Sequence, residues 1–144
     1  SYYENFYGIK YFDLFKDLGF KCDDGRSPVD ELIRNCKLSF YTYDSTGVLE
    51  NLVLNVPTIF LNNKEFKENL TNNFKKKYEL LYENEIMFLN EKKLIEHINL
   101  NWDKIDNWWM KNERQLAISK FNKNFNLKPS KNSIDNLVKD LISI

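Results

Sequence analysis

One stretch constrains this chain more than any other: residues 38–61, LSFYTYDSTGVLENLVLNVPTIFL. Leu38, Phe40 and Thr42 alternate with Ser39, Tyr41 and Tyr43, a run of aromatic and β-branched residues that suits a strand. Asp44-Ser45-Thr46-Gly47 breaks that pattern with residues whose side-chain oxygens cap helices. Val48, Leu49, Leu52 and Val53 then recur at helical spacing, and Pro57 stops the helix before Thr58-Ile59-Phe60-Leu61 resumes as a strand. Strand, crossover helix and second strand make one parallel βαβ unit. A polar loop at the carboxyl end of a parallel strand, feeding a helix amino terminus, is where α/β proteins hold anions and nucleotides.

The rest of the chain extends this alternation. Tyr11, Phe12, Leu14, Phe15 and Leu18 fall at helical spacing, with Gly19 placed to end that helix. Phe20-Lys21-Cys22 reads as a short strand running into the turn Asp23-Asp24-Gly25-Arg26. Ser27 is placed to cap a helix, with Pro28 at its first position, Asp30 and Glu31 in the first turn, and Val29, Leu32, Ile33 and Cys36 on its apolar face. Residues 62–85 predict a polar loop and a lysine-rich helix, with Phe66, Leu70, Phe74, Tyr78 and Leu81 inward. Ile86-Met87-Phe88-Leu89 follows as a strand and 91–101 as a helix. Residues 102–125 read as one long terminal helix, straight or kinked, carrying Trp102, Ile105, Trp108, Trp109, Leu116, Ile118 and Phe121. Pro129 interrupts, and Ser133 caps a last helix through Ile144. Short strands alternating with helices predict an α/β fold, a mostly parallel sheet covered on both faces. We expect a single domain over 1–144, with 102–144 as a terminal helical extension.

Composition removes several function classes. Twenty-one basic and 21 acidic residues leave no net charge, which argues against a general binder of nucleic acid or membrane surfaces. Cys22 and Cys36 are too few for a disulfide framework and lack zinc-site spacing, so we expect reduced thiols in a cytoplasmic protein. No apolar run approaches the ~20 residues a membrane span needs. The chain opens on Ser1 rather than Met, and we expect a piece of a longer protein whose N-terminal half completes the site. No P-loop, GxGxxG, GxSxG or HExxH pattern occurs.

Chemistry-bearing residues concentrate in two loops. Asp24, Gly25 and Ser27 belong to the first; Tyr43, Asp44, Ser45, Thr46 and Gly47 belong to the second. At the ends of parallel strands these loops are expected to converge, with Ser45, Thr46 and the backbone N–H groups of Gly47 and Val48 facing a phosphate. A capped helix start with nothing bound is the alternative for either loop alone; two in tandem favour a site. Glu50 lies four residues past Thr46 on the same side of the helix, placed to accept hydrogen bonds from ribose or sugar hydroxyls. From spacing alone, complementing the helix dipole is the stronger role for Glu50. Asp44 is a general-base candidate, and no catalytic residue is assigned. His97, the single histidine, is read as surface or interface material without a role. Lys75-Lys76-Lys77 is a solvated face, and Trp102, Trp108 and Trp109 are packing anchors rather than stacking platforms.

The ordered set Asp24-Gly25-Arg26-Ser27-Pro28 with Leu32-Ile33, Thr42-Tyr43-Asp44-Ser45-Thr46, Leu49-Glu50, Asn55-Val56-Pro57-Thr58-Ile59 and Trp102-Asp103-Lys104-Ile105 with Trp108-Trp109 and Phe121 resembles a bacterial transferase family. That family is the LIC12162 type, associated with surface-carbohydrate loci, and the resemblance runs from about Tyr2 to Phe125. More distantly the segment resembles the donor half of GT-B glycosyltransferases and of polymer glycerol-phosphate transferases. The resemblance implies a Rossmann-like C-terminal GT-B domain that holds a nucleotide-activated sugar donor without metal or other cofactor. It implies that the loop matching residues 43–47 meets the phosphate and Glu50 the ribose or donor hydroxyls. It also implies a bacterial protein of the cytoplasm or the inner-membrane periphery, working in surface polysaccharide synthesis and inactive without its other half. The sequence departs from the family pattern at Asp44, where Asn is more frequent, and at Gly47, where a bulkier residue is usual. A rival expectation is a non-catalytic Rossmann-like assembly module, a homodimer formed through the face of residues 102–109.

Overall fold

The structure, a computed structural model, describes residues 11–23 and 26–125. The expected turn residues Asp24 and Gly25 and the expected last helix after Ser133 lie outside the described residues. The chain divides into two compact units, residues 1–35 and 36–144.

In the first unit α1 (Tyr11–Asp17) ends as its sequence predicts. Gly19 adopts φ 84°, the left-handed conformation that costs glycine nothing. The Phe20 N–H reaches the Phe15 carbonyl and the Gly19 N–H the Lys16 carbonyl, both at 2.9 Å. This pair of bonds is a Schellman stop, and the Phe15 and Phe20 rings pack edge-on across it at 5.7 Å. Phe20 is therefore used to terminate the helix, and residues 20–22 form no strand. In α2 (Val29–Arg34) the capping position falls to Pro28, whose carbonyl accepts from Glu31 N–H at 3.1 Å. The Ser27 hydroxyl is not the expected cap; it donates instead to Asp23 Oδ2.

The second unit holds the sheet. Its elements are β1 (Ser39–Tyr41), α3 (Thr46–Val53), β2 (Thr58–Leu61), α4 (Lys64–Asn69), α5 (Asn72–Glu83), β3 (Met87–Phe88), α6 (Glu91–Asn101), a 3₁₀ turn (Trp102–Lys104), α7 (Ile105–Trp109) and α8 (Asn112–Asn124). The three strands pair in the order β1-β2-β3, all parallel, with Tyr41 opposite Phe60 and Phe60 opposite Met87. The fold is an open parallel α/β sheet flanked by helices. Successive strand residues face opposite sides, yet Thr58, Ile59 and Phe60 are all fully buried, so both faces of β2 are covered.

Two helix ends explain the connections. Asn55 (φ 57°) occupies the left-handed stop of α3, and Val56 N–H returns to the Asn51 carbonyl at 2.9 Å. The helix thus ends at Val53, and the left-handed turn falls two residues before Pro57, on an asparagine that tolerates this backbone. Trp109 Nε1 donates to both the carbonyl and Oδ1 of Asn55, at 3.1 and 3.0 Å, and so docks α7 on that turn. Glu85 (φ 59°) repeats the stop at the end of α5, with Ile86 N–H reaching the Leu81 carbonyl at 2.9 Å.

Two of the expected helices are broken. Leu70 and Thr71 are extended, which separates α4 from α5, and Asn63 Oδ1 caps α4 by accepting from Phe66 N–H at 2.7 Å. The 102–125 helix breaks at Met110-Lys111. There the Trp108 carbonyl, which also takes the Lys111 N–H at 3.5 Å, accepts from Arg114 Nη1, and the Trp109 carbonyl accepts from Gln115 Nε2. Trp108 and Trp109 are buried as expected, whereas Trp102 and Leu116 are largely exposed. Among the described residues no helix is long and apolar enough to cross a membrane.

Candidate functional site

The loop leaving β1 places Tyr43, Asp44 and Ser45 at the carboxyl edge of the sheet, and α3 starts at Thr46. Tyr43 is exposed, Asp44 half-buried, and Thr46 and Glu50 exposed on the first turns of α3. Ser45 occupies the N-cap with extended backbone, but its hydroxyl makes no capping bond. Its Oγ is sealed from solvent and has no hydrogen-bond partner. A buried hydroxyl left unpaired costs about 1–3 kcal/mol, so such a group is normally satisfied or kept for something else. Asn62, directly after β2, shows the same condition: its Nδ2 is buried and unpartnered. The two orphaned groups thus sit at the carboxyl ends of neighbouring parallel strands.

Asp44 is held from within. The Tyr78 hydroxyl on α5 donates to its Oδ2. Burial pushes the Asp44 carboxyl above the usual carboxylate range, and the tyrosine hydrogen bond partly opposes that shift. Tyr78, nearly enclosed, is pushed well above the ordinary phenol value, first by burial and then by Asp44, so it remains a donor. Nothing in the loop sequence signals this partnership, since the two residues are 34 positions apart.

Gly47 has a packing reason. A Cβ built there would stand 2.9 Å from Cε1 and from the hydroxyl of Tyr41. That hydroxyl in turn accepts from Nδ2 of the fully buried Asn51 at 3.1 Å. The small residue at 47 and the tyrosine at 41 are therefore one choice. Of the other loop, the Ser27 hydroxyl is engaged by Asp23 within the first unit, and Asp24 and Gly25 lie outside the described residues.

A second polar cluster went unread in the sequence. His97, expected at the surface, is 8% exposed, with its ring 5.1 Å from those of both Phe88 and Trp108. Its Nδ1 lies 3.5 Å from Glu85 Oε1, while Glu85 Oε2 takes Arg114 Nη2 at 3.0 Å. Arg114 is 4% exposed, stacks over Trp108 at 4.2 Å and donates through Nε to the Asn84 carbonyl at 2.8 Å. Burial lowers the His97 value below its ordinary 6.5, opposed by Glu85 and reinforced by Arg114. Among the described residues no group of three or more His, Cys, Asp or Glu side chains is arranged to hold a metal.

An open parallel sheet flanked by helices, with a polar loop where its first strand meets a helix, defines a Rossmann-like α/β protein. The chain belongs to the LIC12162 family of transferases, whose family model matches residues 2–141. No curated protein and no solved structure matches it.

Proposed function

We propose that this chain is the donor-binding domain of a GT-B-like glycosyltransferase, taking a nucleotide-activated sugar in the synthesis of a bacterial surface polysaccharide. The observation that carries this is the pair of buried, unpartnered groups Ser45 Oγ and Asn62 Nδ2, at the carboxyl ends of β1 and β2. In this reading Ser45, Thr46 and the Gly47 amide meet the donor phosphate, the expected Val48 N–H being taken by the Ser45 carbonyl at 3.0 Å, and Tyr43 and Glu50 meet its ribose or sugar hydroxyls. Asp44, a carboxylate already partnered by Tyr78, accepts from a donor hydroxyl or amine rather than facing phosphate. The site stabilises the departing nucleotide electrostatically, through preorganised N–H and O–H donors. The base that activates the acceptor comes from the N-terminal half of the longer protein, and no metal takes part.

Titration of CMP, CDP, UDP, GDP and ADP, followed by NMR chemical shifts, tests the reading. One nucleotide is expected to move the amides of residues 43–50. Glu50→Ala is expected to weaken that binding by about 1–3 kcal/mol, the cost of unpairing a polar partner. No response to any nucleotide, in this chain and in the longer protein, would favour the non-catalytic assembly module.

A further inference from the structure

We infer that the cavity between the starts of α4 and α6, beside the carboxyl end of β3, binds a small organic phosphate, a phosphate monoester on a compact apolar group. It has a volume of about 370 Å³ and is walled by Lys64, Tyr82, Phe88, Leu89, Asn90 and Lys93. The Asn62 N–H reaches the Phe88 carbonyl at 2.8 Å, which lays the loop into α4 beside the loop into α6. That pairing brings Lys64 and Lys93 to one opening. β1 lies two strands away, so the inference does not rest on the donor reading.

The polar part of this wall offers donors. Lys64 and Lys93 are exposed, and neither ammonium forms an ion pair among the described residues. Asn90 commits its Oδ1 to the Lys93 N–H at 3.1 Å, where it caps α6, so its Nδ2 is the group that remains for a ligand. An ammonium has three donors and no acceptor. A ligand that meets these groups must bring oxygen lone pairs, and two ammoniums favour an oxyanion of two charges.

The remaining wall is apolar. Phe88 is buried, Leu89 half-buried, and Tyr82 presents an exposed ring. A ring or short alkyl group on the phosphate covers these carbons, which inorganic phosphate leaves in water.

The nearby acids stand outside this wall. Glu83 and Glu96 line the neighbouring cleft, which shares Lys93, and neither pairs with it. Glu65 and Glu91, in the first turns of α4 and α6, are exposed and do not line the cavity. Recognition therefore comes from direct contact with two ammonium groups and not from the net charge of the region, a distinction that a distant lysine tests.

Backbone amide shifts of the 144-residue chain report the binding. The probes are phenyl phosphate, inorganic phosphate, benzyl alcohol and benzylammonium, at fixed ionic strength and about pH 8, where the monoester is a dianion. Phenyl phosphate is expected to move the amides of residues 88–93 saturably and to leave those of residues 43–50 in place. Inorganic phosphate should bind roughly five-fold more weakly, and the alcohol and the cation should not bind. Lys64→Gln and Lys93→Gln should each weaken phenyl phosphate by roughly five-fold, the upper end for one solvated ion pair. Lys76→Gln removes the same charge from an exposed position of α5 outside the wall and should change the affinity by less than about two-fold. A phenyl phosphate response that is absent, or confined to residues 43–50, overturns the proposal. An equal response to inorganic phosphate or benzyl alcohol overturns it as well, as does a Lys76→Gln loss as large as those at Lys64 and Lys93.

Discussion

The phenolic hydroxyl of Tyr78 donates to Oδ2 of Asp44 and so ties α5 to the loop that leaves β1. Tyr78 sits within the core among the rings of Phe66 at 5.2 Å, Phe121 at 5.5 Å and Phe125 at 6.2 Å. The loop residue beside the unsatisfied Ser45 is thus anchored to the buried aromatic core of the second unit. A site whose groups are set before a ligand arrives needs such an anchor.

Tyr78→Phe keeps the ring and removes only the donor. Hydrogen bonds to a charged group contribute about 1.5–3 kcal/mol, and a half-buried acceptor belongs at the low end. Urea unfolding is expected to show a loss of about 1.5 kcal/mol with an unchanged slope on denaturant. A loss well under ~0.5 kcal/mol would mean that water replaces the tyrosine without cost.

Asp44→Asn separates the shape of this contact from its charge, because the amide oxygen can still accept from Tyr78. The Asp44 carboxyl is held above its ordinary 3.8, chiefly by burial. Below 3.8 it is protonated in both folded and unfolded chains. As pH rises toward the folded value, the unfolded chain releases its proton first, so this group's contribution to stability falls. The asparagine variant has no such loss. Its stability relative to the native chain should therefore be greater at about pH 7 than at about pH 3. Equal differences at the two pH values in denaturant titrations would show that Asp44 titrates normally.

How much of this was legible depended on the range of the interactions. Residues 38–61 gave strand, loop, helix and strand because period-2 and period-3.6 patterns are local. Gly19 and the extent of α6 were equally plain, since capping chemistry is written within a few positions. The position of the break at Met110-Lys111 was hidden: it carries no Gly or Pro and depends on Arg114 and Gln115 capping carbonyls that lie upstream. His97 and Arg114 were invisible for a related reason. A single histidine or arginine on a helix reads as solvent-facing until a partner such as Glu85, from another element, explains its burial. For the candidate site, the residue types at 43–47 were readable, but the orphaned state of Ser45 Oγ and the hold of Tyr78 on Asp44 are tertiary facts.

Gly47→Ala sets two local effects against each other. Alanine favours a helix over glycine by about 1 kcal/mol. The added Cβ, however, falls 2.9 Å from the Tyr41 ring and hydroxyl, which are held by Asn51. Overpacking of this kind costs about 1–3 kcal/mol. A net destabilisation of about 1 kcal/mol is expected. Combining it with Tyr41→Leu, which removes the obstructing ring, should reverse the sign of the Gly47→Ala effect; additive losses would place the clash elsewhere.

His97 is expected to titrate below 6.5, because burial opposes its charging more strongly than Glu85 supports it, with Arg114 and Lys111 adding to the depression. An unfolded chain takes up this proton near 6.5, while the folded one resists. The contribution of His97 to stability is therefore present above 6.5 and is lost as pH falls toward the folded value. The imidazole proton signals of this single histidine, followed across pH, give the midpoint directly. A midpoint at or above 6.5 would mean that the Glu85 carboxylate outweighs burial.

Glu85 offers the sharpest comparison, because its backbone and its side chain pull in opposite directions. Of the three left-handed helix stops among the described residues, Gly19 and Asn55 carry residues suited to this backbone, but Glu85, at φ 59°, does not. The left-handed conformation costs a residue with a Cβ about 1–2 kcal/mol. Glu85 remains there while its carboxylate meets Arg114 at 3.0 Å and His97 at 3.5 Å. Glu85→Ala loses the carboxylate and keeps the strained backbone; Glu85→Gly loses the carboxylate and relieves the strain. The alanine variant should be the least stable of the three chains, with glycine recovering about 1 kcal/mol of the deficit. If glycine instead exceeds the native chain, the ion pair contributes less than the strain it holds. Thermal unfolding of the three, with Arg114→Met as a fourth to leave Glu85 unpaired, decides between these outcomes.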